Sequence, residues 1–265
     1  MYLMAQTDSI NISVNIFDKW WMAIEHSARE GTLGFWDNLY KELYTNLLSN
    51  NRYLDYLRGL GVTLQVSLCA ALMGSILGII LAFMKLSHVK ILRINPLEKI
   101  ASWYVSLIRG TPLLLQVMLI NYAVFLNVRL DKIIIGIIAC GLNSAAYVSE
   151  IIRGGILSVD KGQVEAGRSL GLSSGKTMRL IVLPQAAKMT LPAICNEFIV
   201  LIKETSVLAY IALTELTKAG DYIRSRTYSA FTPYIITGIL YLTVTTVLTR
   251  ILGKIERRLR QGDMH

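Results

Sequence analysis

The chain has 265 residues, of which 53% are hydrophobic and 17% charged, and its mean hydropathy is +0.47. Soluble domains carry roughly 25% charged residues, so the apolar excess points to lipid as the solvent. It excludes a disordered chain, and three cysteines in this length exclude a disulfide scaffold. The net charge of +9 fits either nucleic-acid binding or the basic loops of a membrane protein, and its distribution decides between them.

Residues 1–57 do not read as a cleaved signal, because Asp8 comes early and no basic stretch precedes an apolar run. They are rich in aromatics, among them Phe17, Trp20, Trp21, Phe35, Trp36, Tyr40 and Tyr44. Phe35, Trp36, Leu39, Tyr40, Leu43 and Leu47 follow helical spacing. This predicts an amphipathic extracellular segment lying on the outer membrane interface, where Trp and Tyr are at home. A small extracellular packing cap is the alternative.

A transmembrane domain is predicted over 58–252, followed by a basic cytoplasmic tail over 253–265. Residues 59–84, 110–128, 133–149 and 227–249 carry no charge, and a span needs about 20 mainly apolar residues. With flanks, the predicted spans are 59–84, 97–128, 132–154 and 228–250. A fifth, over 187–213, is interrupted by Glu197, Lys203 and Glu204. In the first span Gly74 and Gly78 form a G-x-x-x-G suited to close helix contact. In the second, Pro112 removes a backbone donor and predicts a structural hinge between Arg109 and Pro112.

The basic residues settle the orientation. Lys85, Lys90, Arg93, Lys99 and Arg109 gather in the first loop, and Arg153, Lys161, Arg168, Lys176 and Arg179 in the third. The tail adds Arg250, Lys254, Arg257, Arg258 and Arg260, on the same side of a five-span chain, whereas residues 1–58 hold five basic and seven acidic groups. The positive-inside rule then places the N-terminus outside and the C-terminus in the cytoplasm. Topology accounts for the basic excess, and no nucleic acid is expected as a partner.

Catalytic and metal chemistry find no support. Cys69, Cys140 and Cys195 sit in apolar runs as small hydrophobes. His26, His88 and His265 are dispersed outside the spans. No metal site, catalytic residue or bound cofactor is expected, so the chain reads as a non-enzyme.

Polar groups inside the spans suggest a pathway by default. Asn143, Tyr147, Glu150 and Gly154 share one helix face. Asn196 and Lys203 are seven apart, as are Glu197 and Glu204. Gln116 and Asn121 add polar positions on the second span. Such a mixed lining matches a substrate carrying both an ammonium and a carboxylate. The structural alternative is that Glu150 and Arg153, near the cytoplasmic end, form ion pairs with neighbouring helices, and that Lys203 pairs with Glu197 or a carbonyl end.

The loop 158–184 reads SVDKGQVEAGRSLGLSSGKTMRLIVLP. Residues 160–170 look helical, Gly171 suits a left-handed C-terminal position, and Ser173 or Ser174 caps a second short helix. The loop is thus a helix–turn–helix leading to Pro184. The stretch from Gly171 to Thr177 imitates a phosphate-binding loop but has three residues between its glycines where four are needed.

Here the sequence resembles the permeases of ATP-binding-cassette (ABC) importers, most closely the polar amino acid uptake branch of the histidine, arginine, glutamine and glutamate type. Gly162 and Gln163, then Glu165, Ala166 and Gly167, then Gly171, then Ile181, Val182, Leu183 and Pro184 match its "EAA" motif. Further matches are Arg109, Gly110, Thr111, Pro112, Leu113 and Leu114, the run from Asn143 to Tyr147 with Glu150, Arg153, Gly154 and Gly155, and Asn196, Glu197, Lys203, Glu204, Thr205 and Ser206. One departure is Gly167, where the family usually has Ala.

The resemblance implies an all-α membrane protein with five transmembrane helices of the type I importer kind and a cytoplasmic coupling helix in the loop 158–179. That helix would seat in a groove of a separate ATP-binding subunit, present in two copies, with ATP and Mg held on those subunits. It implies a multi-pass protein of the plasma or inner membrane. Its partners would be an extracellular solute-binding protein and a second permease copy, identical or related, in the lipid bilayer. A gradient-driven secondary amino acid carrier is the alternative, but such carriers usually show internal repeats, and none is evident.

Overall fold

The structure, a computed structural model, describes residues 34–87, 95–125 and 130–261 together with Met22, Ser27 and Val128. The expectations for residues 1–21, 23–26 and 28–33, for the basic groups Lys90 and Arg93, and for 262–265 lie outside the described residues. The described chain is helical throughout, in the order α1 (Phe35–Leu43), α2 (Arg52–Leu86), α3 (Pro96–Arg109), α4 (Leu113–Leu119), α5 (Lys132–Leu157), α6 (Lys161–Ser169), α7 (Ser174–Thr177), α8 (Leu183–Glu204), α9 (Leu216–Thr227) and α10 (Thr232–Gln261).

Local chemistry sets many of the boundaries. Asn95 accepts a hydrogen bond from the Glu98 amide at 3.2 Å and Pro96 opens α3, a pairing of cap and N-terminal proline that satisfies or removes orphan donors. Asp131 caps α5 through the Ile133 amide at 2.8 Å. Asn50 and Asn51 adopt left-handed backbone (φ 55° and 56°) before α2, a conformation that Asn tolerates better than most residues.

The helices run past several predicted bounds. α2 starts at Arg52, six residues before the predicted transmembrane domain, and α10 continues to Gln261 through the boundary drawn at 252. The expected second span is not one helix. α3 and the helical stretch Leu113–Val124 meet at 104°. At about 1.5 Å per residue each piece falls well short of a hydrocarbon core of about 30 Å. The break falls at Gly110, Thr111 and Pro112, where Pro112 has no amide to extend the helix.

Among the described residues three helical stretches are long and apolar enough to cross a membrane: Phe35–Leu86 (which includes α2), Lys132–Leu157 and Thr232–Lys254. The bent pair makes a fourth if it counts as one span. α8 is not among them, since Lys188, Glu197, Lys203 and Glu204 interrupt it.

α2 and α5 form the central pair. A Cβ at Gly74 would stand 2.8 Å from Ser144 Cβ, and one at Gly78 would stand 2.7 Å from Val148 Cγ1. The predicted G-x-x-x-G is therefore a contact face, where backbones approach because no side chain intervenes. Around this pair, Val66, Ala70, Val117, Ile135, Ala139, Cys140, Leu201 and Leu208 build the main core. Cys140 is buried, Cys69 and Cys195 are half-buried, and all three are free thiols.

Candidate functional site: a helical hairpin and a polar seam

The loop between α5 and α8 folds as a compact hairpin. Asp160 caps α6 by accepting from the Gly162 amide at 2.5 Å. Gly171 closes α6 with φ 84°; its amide donates to Arg168 O at 3.0 Å, and the Leu172 amide donates to Gly167 O at 3.1 Å. This satisfies the last carbonyls of the helix. Ser173 then caps α7 through the Lys176 amide at 3.4 Å.

The two arms close at Gly167. This glycine is buried, and a Cβ there would stand 2.6 Å from Ile181 Cδ1 and 3.2 Å from Thr177 Cγ2. The departure from Ala thus fits a close approach between α6 and the turn before α8. Ile156, Val159, Val182 and Ala186 form a core beneath the hairpin, joined by Val164 of α6. Pro184 lies in the first turn of α8, where a missing amide costs little.

Glu165 and Ala166 are exposed on α6. So is Leu170, at 84%, which the sequence reading treated only as a helix end. An apolar side chain beside a left-handed glycine, at the tip of an otherwise polar helix, was the available signal. The hairpin is packed at its base and exposes Glu165, Ala166 and Leu170.

The face predicted on α5 is occupied by partners from within the chain. Asn143 Nδ2 donates to Gln116 Oε1 at 3.0 Å. Gln116 Nε2 donates to Ile108 O at 2.8 Å and to Thr111 Oγ1 at 2.8 Å. These bonds span the helix break and bind it to α5. Tyr104 Oη reaches Leu142 O at 2.7 Å, and the Arg109 guanidinium lies over the Tyr147 ring at 5.3 Å. Asn121 accepts from Lys132 Nζ at 2.7 Å.

One turn further along α5, Glu150 receives two cations. Lys85 Nζ stands 2.5 Å from Oε1, and Arg153 Nη2 stands 2.8 Å from Oε2. Lys85 lies at the end of α2 and was missed as a partner, because nothing local links residues 65 apart.

The polar positions of α8 stand apart from this seam. Asn196 and Lys203 are exposed. Asn196 lines a cavity of about 140 Å³ between α8 and α10, with Pro192, Cys195, Thr249 and Glu256. Glu197 lines a neighbouring cavity with Ser75 and Ser144. Of the predicted lining, then, Gln116, Asn121, Asn143, Tyr147 and Glu150 are engaged within the fold, Asn196 and Glu197 line cavities, and Lys203 is exposed.

Residues 74–261 match the family described as binding-protein-dependent transport system inner membrane component. The chain is 41% identical over 209 residues to the arginine transport system permease protein ArtQ of Bacillus subtilis, covering 78% of this chain and 93% of that one. It is 39% identical to the L-cystine transport system permease protein TcyB of the same organism, over 76% of this chain and 85% of that one. With the glutamine transport system permease protein GlnP of Escherichia coli the identity is 34%, over 77% and 92%. A solved amino acid ABC transporter crystallised with histidines superposes with a TM-score of 0.74 at 41% identity, over 80% of this chain and 97% of that one.

Proposed function

The chain belongs to the family of binding-protein-dependent transport system inner membrane components, and from that premise we propose that its cargo is a polar amino acid carried as a zwitterion. It is the permease subunit of an ABC importer and is not itself the ATPase. The gradient-driven carrier is set aside by that membership. The observation that carries the substrate class is the set of relatives at 34–41% identity, whose names specify arginine, cystine and glutamine.

In this reading the bent pair α3–α4 and the charge-interrupted α8 each count as one span, giving five with α2, α5 and α10. The N-terminus is outside and the hairpin α6–α7 is cytoplasmic. The exposed face of Glu165, Ala166 and Leu170 seats in a groove of a separate ATP-binding subunit. Closure of two such subunits pushes on the hairpin, and the packed base at Val159, Val182 and Ala186 passes the movement to α5 and α8. Lining groups come from α8, where Asn196, Glu197 and Lys203 offer an amide, a carboxylate and an ammonium; the α5 seam holds the bend. A second permease subunit, identical or related, completes the pathway, and an extracellular solute-binding protein delivers the cargo.

The experiment is uptake into liposomes holding this chain with its ATPase and binding protein. Labelled arginine, glutamine and cystine should enter only with ATP inside the ATPase compartment, and Asn196→Leu or Lys203→Leu should change the ratio of their rates. ATP-driven uptake of none of the three, by a complex that hydrolyses ATP, would remove the substrate class.

A further inference from the structure

We propose that α1 is a lipid-docking brace: its apolar face enters the bilayer surface while Glu42, at the edge of that face, holds the turn between α9 and α10. The family match begins at residue 74, so α1 lies outside it and the transport cycle as described gives it no task.

The two faces of α1 are chemically distinct. None of its residues is buried. Phe35 and Trp36 are 74% and 76% exposed, Leu39 and Leu43 are exposed with them, and so is Leu48 in the turn that follows. The edge of the apolar face is bonded to the chain. Glu42 Oε2 accepts from Thr232 Oγ1 at 2.9 Å and from Ser229 Oγ. In the helical turn that follows α1, Asn46, fully buried, accepts from Thr227 Oγ1 at 2.8 Å. Just beyond, Leu47 and Tyr56 pack with Leu216, Ile223 and Ile236 of α9 and α10.

These bonds fix the depth of α1, and the depth selects the occupant. Thr232 is the first residue of α10, whose Thr232–Lys254 stretch is long and apolar enough to cross a membrane. A helix bonded to that residue is level with one surface of the bilayer. It is also joined by eight residues to α2, the other end of the same level. Its apolar face continues onto exposed Leu54 and Leu57 at the start of α2. At this depth an aromatic pair beside Asp37 and Lys41 matches the interface between headgroups and acyl chains. The proposal rests on the permease reading only in that the chain spans a bilayer.

The test uses the assembled importer in phosphatidylcholine vesicles, with Trp20, Trp21 and Trp103 replaced by Phe so that Trp36 is the one tryptophan left in this chain, and with the same assembly carrying Trp36→Phe subtracted to remove its partners' emission. Lipids brominated near the headgroup should quench its emission about twofold more than lipids brominated near the chain ends, and acrylamide should quench weakly. Quenching by acrylamide without bromolipid quenching would show a solvated helix and overturn the proposal. Protection from both would show a protein occupant, a second copy or the binding protein, and would also overturn it. Where the three replacements abolish uptake, a spin label on Trp36→Cys, read by its relative exposure to oxygen and to an aqueous nickel complex, gives the same three outcomes. For the brace, Glu42→Ala should leave Trp36 in lipid while a spin label on Tyr228→Cys becomes more mobile; unchanged mobility would remove that half. An impermeant thiol reagent on the same Tyr228→Cys reports the side of the membrane, so a wrong topology is seen separately from a failure of lipid docking.

Discussion

Asn143 on α5 and Gln116 beyond the helix break share a hydrogen bond of 3.0 Å, and the Gln116 amide spends its donors on Ile108 before that break and Thr111 within it. The glutamine is a pin in a bent helix. Gln116→Leu leaves Asn143 Nδ2 without this acceptor and frees Ile108 O, so it should lower stability by about 1–2 kcal/mol. The ratio of uptake rates among amino acids should be unchanged. A thermal unfolding series with a competition assay checks both; a changed ratio at unchanged stability would make Gln116 a lining residue.

The approach of α2 to α5 at Gly74 gives a second expectation. Gly74→Ala places a methyl 2.8 Å from Ser144 Cβ, and overpacking of this kind costs about 1–3 kcal/mol. Ser144→Gly should recover part of the loss, so that the two changes are less than additive in a double-mutant cycle. Full additivity would mean that the helices separate there at no cost.

Glu150 serves Lys85 and Arg153 together. Glu150→Gln strands two partly buried cations, whereas Arg153→Gln strands none, because Lys85 still balances the carboxylate. The glutamate variant should therefore lose about 1–2 kcal/mol more than the arginine variant. Thermal unfolding in detergent decides the order, and equal losses would show that Lys85 contributes nothing.

Gly171 isolates backbone strain from crowding. Its φ is 84°, and a Cβ there meets nothing within 4 Å. Gly171→Val should distort the hairpin tip at a cost of about 1–2 kcal/mol, while Gly171→Asn, which tolerates this region, should cost less. Transport-coupled ATP hydrolysis should follow the same order. Equal hydrolysis in the two variants would mean that the ATPase does not sense the tip.

Ser173 is exposed at the start of α7, on the side assigned to the cytoplasm. In a background lacking Cys69, Cys140 and Cys195, Ser173→Cys should resist an impermeant thiol reagent added outside intact cells and react after permeabilisation. Reaction from outside would invert the topology.

The amino-acid sequence by itself determined the features that depend on neighbours along the chain. Charge-free runs marked the stretches that lipid can hold, Asp160, Gly171 and Ser173 marked the ends of short helices, and Pro112 marked the break. These are local matters of backbone donors, capping and solvent, so residue order is enough to write them. The tertiary structure alone decided where side chains spend their bonds. Asn143 and Gln116 were legible as polar groups in apolar runs, but only packing turned them toward each other. Lys85 meets Glu150 across 65 residues, and Glu42 meets Thr232 across 190. No periodicity encodes such pairs, because a helix repeats every 3.6 residues and carries no record of which helix will lie beside it.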